Sequence, residues 1–438
     1  MTIPRLLWNV AVTTATAAAL TVAATPAQAA DTEPAGWRLP HLTAAQADDL
    51  AADGFDLAAL RPDGSAIVIG DRSVAAALRD RGLAPQYLDT VYKPVAETTT
   101  AADTFYGGYH TVAAHEAHLD AVAAQHPDLA TVHDIGDSWL KTQGLGGHDM
   151  LAICLTKLTD GDCRRSPDST KPRFSVLAQI HSREIATGEV AWNWIDTLVD
   201  GYGTDPRITT LMDTTEMWVV PIANPDGVDI VASGGDRPLL HRKNANDSNG
   251  SCGSGKGIDL NRNSTFEWGD SGTSPCGETY QGPTAGSEPE VQALEGLLRS
   301  IHPDQRGTGR HDPAPDDARD VMITLHSYGN YIIVPWGFTS EPSPNDDQLR
   351  TLGEQMAASN GYFVGTNGDT VGYGTSGTTD DMSYGELGVA SFTIEMGGDF
   401  GACGGFLPAY SCVADELWPD NHGALLTAAQ AAAAPYRS

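Results

Sequence analysis

Short apolar runs of strand length alternate along this chain with longer amphipathic stretches, and that alternation narrows the folds open to it. Phe174–Ile180, Met217–Ile222, Val321–Leu325 and Ser391–Glu395 are almost wholly apolar, as strands covered on both faces are. Glu184 to Asp200 (stopped by Gly201), Ser287 to Arg299 and Asn345 to Ser359 read as helices, and Asn224-Pro225-Asp226-Gly227 reads as a turn. The pattern predicts an α/β fold, with a mixed, mostly parallel sheet flanked by helices on both faces. Ligands of such sheets gather beyond the carboxyl ends of the strands. His181, His326 and Glu395 all fall at those ends. Gly307 to Asp320, rich in Gly, Pro, Arg and Asp, reads as a mobile surface loop.

His181-Ser182-Arg183-Glu184 and His326-Ser327-Tyr328 follow two of these runs. An H-x-x-E turn offers an imidazole and a carboxylate from one bend, and a distant histidine supplies a third donor. Three protein ligands leave a fourth position for water, the mark of a catalytic rather than a closed structural zinc site. Zinc follows from the nitrogen and oxygen donors, although cobalt can occupy such a site. His115-Glu116-Ala117-His118 is one residue short of H-E-x-x-H, so its histidines stand at i and i+3. It reads as a solvated helix face and is assigned no metal.

Residues 1–29 carry the parts of a secretory signal in order: Arg5, the small apolar stretch Ala11 to Ala24, and Ala27-Gln28-Ala29. The chain is therefore expected to be secreted and extracellular, with no membrane span. A formal net charge of -31 argues against nucleic acid or an anionic membrane as a partner. Acidic loops could hold calcium, but none has EF-hand spacing. The six cysteines fall into the neighbouring pairs Cys154/Cys163, Cys252/Cys276 and Cys403/Cys412, the natural disulfides of an exported chain. Residues 30–103 form a separate small α+β unit. It has a strand at Ser65–Gly70, a helix from Asp71 to Arg81 capped by Asp71 or Ser73 and stopped by Gly82, and a polar linker at 96–103. Between a signal and the long remainder, 104–438, such a unit reads as a propeptide.

The order of H-S-R-E at 181, N-P-D-G at 224, R-K-N at 242, D-L-N-R-N at 259, C-G-E-T-Y-x-G-P at 276, H-S-Y at 326 and F-T-I-E ending at Glu395 resembles the M14-family zinc carboxypeptidases of the carboxypeptidase A, B and T group, in a secreted bacterial form. The resemblance covers residues 104 to the C-terminus and implies a role for each matching residue. His181, Glu184 and His326 would hold one zinc ion, with Asp259 orienting His181. Glu395 would be the general base, and Arg242 would polarise the scissile carbonyl. Asn261 and Arg262 would bind the terminal carboxylate, which suits the planar fork of arginine. Tyr373, flanked by Gly372 and Gly374, would swing over the substrate, and Tyr328 would line the cleft, while Tyr384 is structural. Asp380 would lie at the base of the side-chain pocket and favour basic, or basic and apolar, C-terminal residues. Asp381 follows directly, so a slip of one residue moves that assignment. Arg183 serves either substrate binding or packing.

The implied protein is a monomeric zymogen that releases C-terminal amino acids from peptides and proteins once an activating protease cuts near the linker. Two other readings compete. Relatives in this superfamily cleave γ-D-glutamyl bonds of cell walls or remove acyl groups from amino acids, but the Asn261, Arg262 and Tyr373 set favours ordinary peptides. A non-catalytic zinc-binding exoprotein would lack the base or a ligand.

Overall fold

The computed structural model describes residues 32–437 except positions 62, 96–101 and 251. The signal segment and most of the linker lie outside the described residues.

The N-terminal unit is built from β1 (Ala35–Leu39), α1 (Ala44–Ala52), β2 (Asp56–Leu60), β3 (Ala66–Gly70), α2 (Arg72–Asp80) and β4 (Gln86–Thr90). Its strands form an antiparallel sheet in the order β2-β3-β1-β4. Asp71, not Ser73, caps α2: its carboxylate accepts the backbone N–H of Ser73 and of Val74. Leu39, Leu50, Leu60, Val68 and Leu78 close a small core of its own.

The larger unit begins with a ribbon of β5 (Thr104–Phe105) and β6 (Tyr109–His110), then α3 (Val112–Gln125), β7 (Ala130–Asp137), α4 (Trp139–Thr142) and β8 (Asp149–Leu155). Next come β9 (Arg173–Ala178), α5 (Ala186–Gly201), α6 (Pro206–Thr214), β10 (Glu216–Val220), α7 (Pro225–Ala232) and α8 (Pro289–Ile301). The chain ends with β11 (Val321–His326), β12 (Tyr331–Ile333), α9 (Asp346–Ala357), β13 (Phe363–Gly365), α10 (Thr379–Leu387), β14 (Ala390–Glu395) and α11 (Trp418–Ala431). The eight-stranded sheet runs β13-β12-β14-β11-β9-β10-β8-β7. Its centre, β14-β11-β9-β10, is parallel, as is β12 on β13, whereas β12 on β14 and the β10-β8-β7 side are antiparallel. The expected mixed, mostly parallel sheet is present.

Side chains of the central strands alternate between two cores, as the two-residue period of a strand requires. Phe174, Val176, Met217, Val219 and Ile323 face Val190, Trp194, Leu352 and Leu425 from α5, α9 and α11. Leu177, Trp218, Val220 and Met322 face Leu294, Leu298 and Met382 from α8 and α10. Both faces are covered, which is why these strands read as continuous apolar runs.

Three local expectations change. Asn224-Pro225-Asp226-Gly227 is not a free turn but the start of α7: the Asn224 side chain accepts the Gly227 N–H, and Pro225 fills the first position, where no N–H is needed. The helix expected from Glu184 starts at Ala186, because the Glu184 carbonyl is taken by the backbone and hydroxyl of Thr187. Segment 307–320 is irregular but anchored: Ala314 and Asn345 exchange two hydrogen bonds, and Asp320 is fully buried, accepting from the Arg173 backbone. The cysteines pair as expected, Cys154–Cys163, Cys252–Cys276 and Cys403–Cys412.

Candidate metal centre and cleft

The parallel pairing of β11 with β14 sets His326 directly opposite Glu395. Beside them β9 ends at Ala178 and the chain turns through His181 to Glu184. Donor atoms of His181, Glu184 and His326, all buried, lie within 4.8 Å of one another. His181 Nδ1 is 2.7 Å from Glu184 Oε1, His326 Nδ1 is 3.1 Å from Glu184 Oε2, and the two Nδ1 atoms are 3.1 Å apart. On the far side of each ring, His181 Nε2 meets Asp259 Oδ1 at 3.2 Å and His326 Nε2 meets Thr324 Oγ1 at 3.1 Å. A His181 ring that donates from Nε2 to Asp259 turns a lone pair from Nδ1 toward a carboxylate. That contact repels unless a cation lies between, so the donor set fits a metal ion. Two imidazoles and one carboxylate suit catalytic zinc.

Asp259 has a second partner: Arg242 donates to its Oδ2 from Nε at 3.0 Å and from Nη2 at 2.9 Å. Burial opposes the Asp259 charge, but Arg242 and His181 hold its carboxyl well below the usual range. The Arg242 guanidinium lies 3.8 Å from Glu184 Oε1, at the edge of the cluster. Burial pushes the Glu395 carboxyl up to about 8.

Arg262 is 4% exposed, and among the described residues its guanidinium makes one hydrogen bond, to the Asn261 carbonyl at 2.7 Å, and no ion pair. The Asn261 side-chain oxygen accepts the backbone N–H and the hydroxyl of Thr379, which fixes the amide. His181, Glu184, Arg242, Asn261, Arg262, His326, Tyr328, Tyr373, Asp380 and Glu395 line one cleft. Asp381 does not share it: its carboxylate accepts the N–H groups of Gly337 and Phe338. Ten of the residues expected from sequence thus line one cleft, and Asp259 stands behind His181. Tyr384, off the cleft, bonds to Asn345.

The N-terminal unit closes this cleft. Ala58, Ala59, Leu60 and Arg61 form part of its wall, and the cavity left is about 70 Å³, well below the roughly 300 Å³ of small ligand pockets. Arg183 serves this contact: it is buried and grips Asp56 of β2 bidentately, at 2.6 and 2.9 Å, with Glu278 at 3.4 Å. Arg61 reaches Tyr331 and Asp399. Tyr373 rests against the apolar core of the N-terminal unit. His115, meanwhile, is buried in α3 against Trp192, and His118 stacks on the same ring at 3.7 Å while bonding Asp196, so these two are packing residues rather than a solvated face.

Sequence reasoning missed Thr324 and Asp56. Thr324 could have been found, because a strand places residues i and i+2 on one face. Asp56 carried no signal; its partner is 127 residues away.

A buried two-histidine, one-carboxylate cluster at the carboxyl ends of a mixed sheet, with an arginine beside it that makes no ion pair among the described residues, has the make-up of a metallohydrolase site. Comparison with known proteins agrees. Residues 115–416 match the zinc carboxypeptidase family. Carboxypeptidase A2 of Mus musculus is 30% identical over 323 residues, 72% of this chain and 68% of that protein. Carboxypeptidase A1 of Homo sapiens is 29% identical over 329 residues, 73% and 70%. The crystal structure of carboxypeptidase A from Helicoverpa armigera shares the fold with a TM-score of 0.70 at 21% identity, over 92% of this chain and 99% of that one. The chain belongs to the zinc carboxypeptidase family and is a metallocarboxypeptidase.

Proposed function

We propose that the chain is a secreted zymogen whose catalytic body, once freed of the N-terminal unit, removes C-terminal residues from peptides, with His181, Glu184 and His326 holding one zinc ion. The observation that carries this is Arg262, buried in the cleft beside the metal cluster with no carboxylate partner among the described residues. A substrate's terminal carboxylate would complete it, with the Asn261 amide beside it, and only a chain end offers that group. Zinc in such a site lowers the pKa of a bound water toward about 7 and polarises a carbonyl. Glu395, at the paired end of β14, would take the water's proton and hand it to the leaving amine. Arg242, held by Asp259, would face the charge developing on the carbonyl oxygen. Asp380 on the cleft wall would select Lys or Arg, or both basic and apolar residues, and Tyr373 would cap the terminal side chain. The leader at 1–29 and the three disulfides support export to an oxidising compartment.

A protease that cuts in the linker would act after something other than a basic residue. Lys93 is the last Lys or Arg before Lys141. It is 7% exposed, paired with Asp89 at 2.6 Å and followed by Pro94.

The test is hydrolysis of N-blocked dipeptides ending in Phe, Leu, Lys or Arg by protein trimmed near residue 103, with and without chelator and zinc add-back. Chelator-sensitive release of the terminal amino acid is expected. Absence of release by folded, zinc-loaded protein would sink the proposal.

A further inference from the structure

The turn that carries His181 and Glu184 is held from behind by a residue outside the cleft. Gln179, the first residue after β9, has a left-handed backbone with φ of 53° and is 3% exposed. A residue with a side chain is held there only when its surroundings fix it, and such outliers gather at functional sites. Three contacts fix it. Its side-chain amide donates to the Ser182 carbonyl at 3.2 Å, inside the turn. Its backbone N–H donates to Thr187 Oγ1 at 3.0 Å, and that hydroxyl donates to the Glu184 carbonyl at 2.8 Å. The amide oxygen lies so close to Gly188 in α5 that a Cβ there would come within 2.4 Å of it. Ser182 and Glu184 are thus tied to one residue, the first by its side chain and the second through its backbone N–H and Thr187, and the first turn of α5 is left open to admit the amide.

We infer that Gln179 is a positioning residue for the metal: its amide tether to Ser182 sets the spacing between His181 and Glu184. This rests on the zinc assignment made above. The His181 ring has its own orienting partner in Asp259, but nothing else among the described residues bonds the Ser182 carbonyl. Groups that orient ligands in this way typically change metal affinity by about 10- to 100-fold.

The test uses the full chain stripped of metal, with zinc titrated against a chromophoric chelator. Gln179→Gly keeps the left-handed backbone and its N–H to Thr187 and removes the side chain that makes the tether. Gly188→Ala leaves Gln179 in place and pushes its amide aside. Both are expected to weaken zinc binding by about 10- to 100-fold, with the near-UV circular dichroism of the zinc-free protein unchanged. A Gln179→Gly chain that binds zinc as tightly as the wild type overturns the tether, as does one whose zinc-free form has lost its near-UV signal. A wild-type chain with no zinc affinity would sink the zinc assignment itself and this inference with it.

Discussion

The Glu395 carboxyl stands on the cleft wall with no hydrogen-bond partner among the described residues, and burial raises its pKa. That setting supports the proposed role of Glu395 as a proton carrier. Glu395→Gln keeps the shape and removes the proton chemistry. It should lower kcat by about 100-fold or more while zinc content by metal analysis stays at one per chain; activity within a few-fold of wild type would exclude Glu395 as the base. Asp380 and Asp381 have parted roles, one on the cleft and one bonded to two backbone N–H groups. Asp380→Asn should therefore depress kcat/KM for C-terminal Lys or Arg by about 10-fold or more and spare Phe. Asp381→Asn should instead lower Tm, since an amide can no longer accept at both oxygens. His148 supplies the pH prediction. It bridges Asp229 and Glu116, each at 2.8 Å, and those bonds raise its pKa from 6.5 to about 10. A raised imidazole stabilises the fold fully below its unfolded pKa, and the contribution fades as pH climbs through the folded value. His148→Gln should thus cost roughly 1 kcal/mol at about pH 6, with half-exposed carboxylates discounting the pair, and close to nothing once the pH is well above the folded value. A urea titration at both values that shows equal costs would refute the bridge.

At the scale of elements, what the strands carry was largely readable from sequence and how they join was less so. β9, β10, β11 and β14 announced themselves because helices cover both faces and leave no polar alternation. The ends of those strands then located His181, His326 and Glu395. β7 gave no such signal: with burial of mixed grade along it, its residues look like any polar segment. The start of α5 moved by two residues because the Glu184 carbonyl is claimed by the backbone and hydroxyl of Thr187. The joint between β9 and β10 hides a buried pair across the ladder. Arg173 donates to Glu216 at 2.7 Å, and Glu216 also accepts from Trp218, Ser169 and the Cys163 backbone. Glu216→Ala would strand the fully buried Arg173 charge and should cost about 3–5 kcal/mol, read as a lower urea midpoint. A loss below about 1 kcal/mol would show that the pair is replaceable.

At the scale of the whole molecule, two units share one cleft. Arg183 with Asp56, and Arg61 with Asp399, hold the N-terminal sheet against the metal side of the catalytic sheet. Asp56→Asn should raise the peptidase activity of the uncut chain at unchanged zinc content, and more so at high salt; a variant as silent as the uncut wild type would show that apolar contacts alone close the cleft. The disulfides decide the fate of the N-terminal unit after cleavage. All six cysteines lie between positions 154 and 412, and each bridge closes a local loop. None stitches the front of the chain to the back. In the proposed zymogen, a single nick would therefore turn an intramolecular plug into a separate ligand, whose hold on the enzyme would be set by dilution. In a crowded secretion channel it would stay seated; in open medium it would drift off, and the volume outside the cell would itself complete the activation.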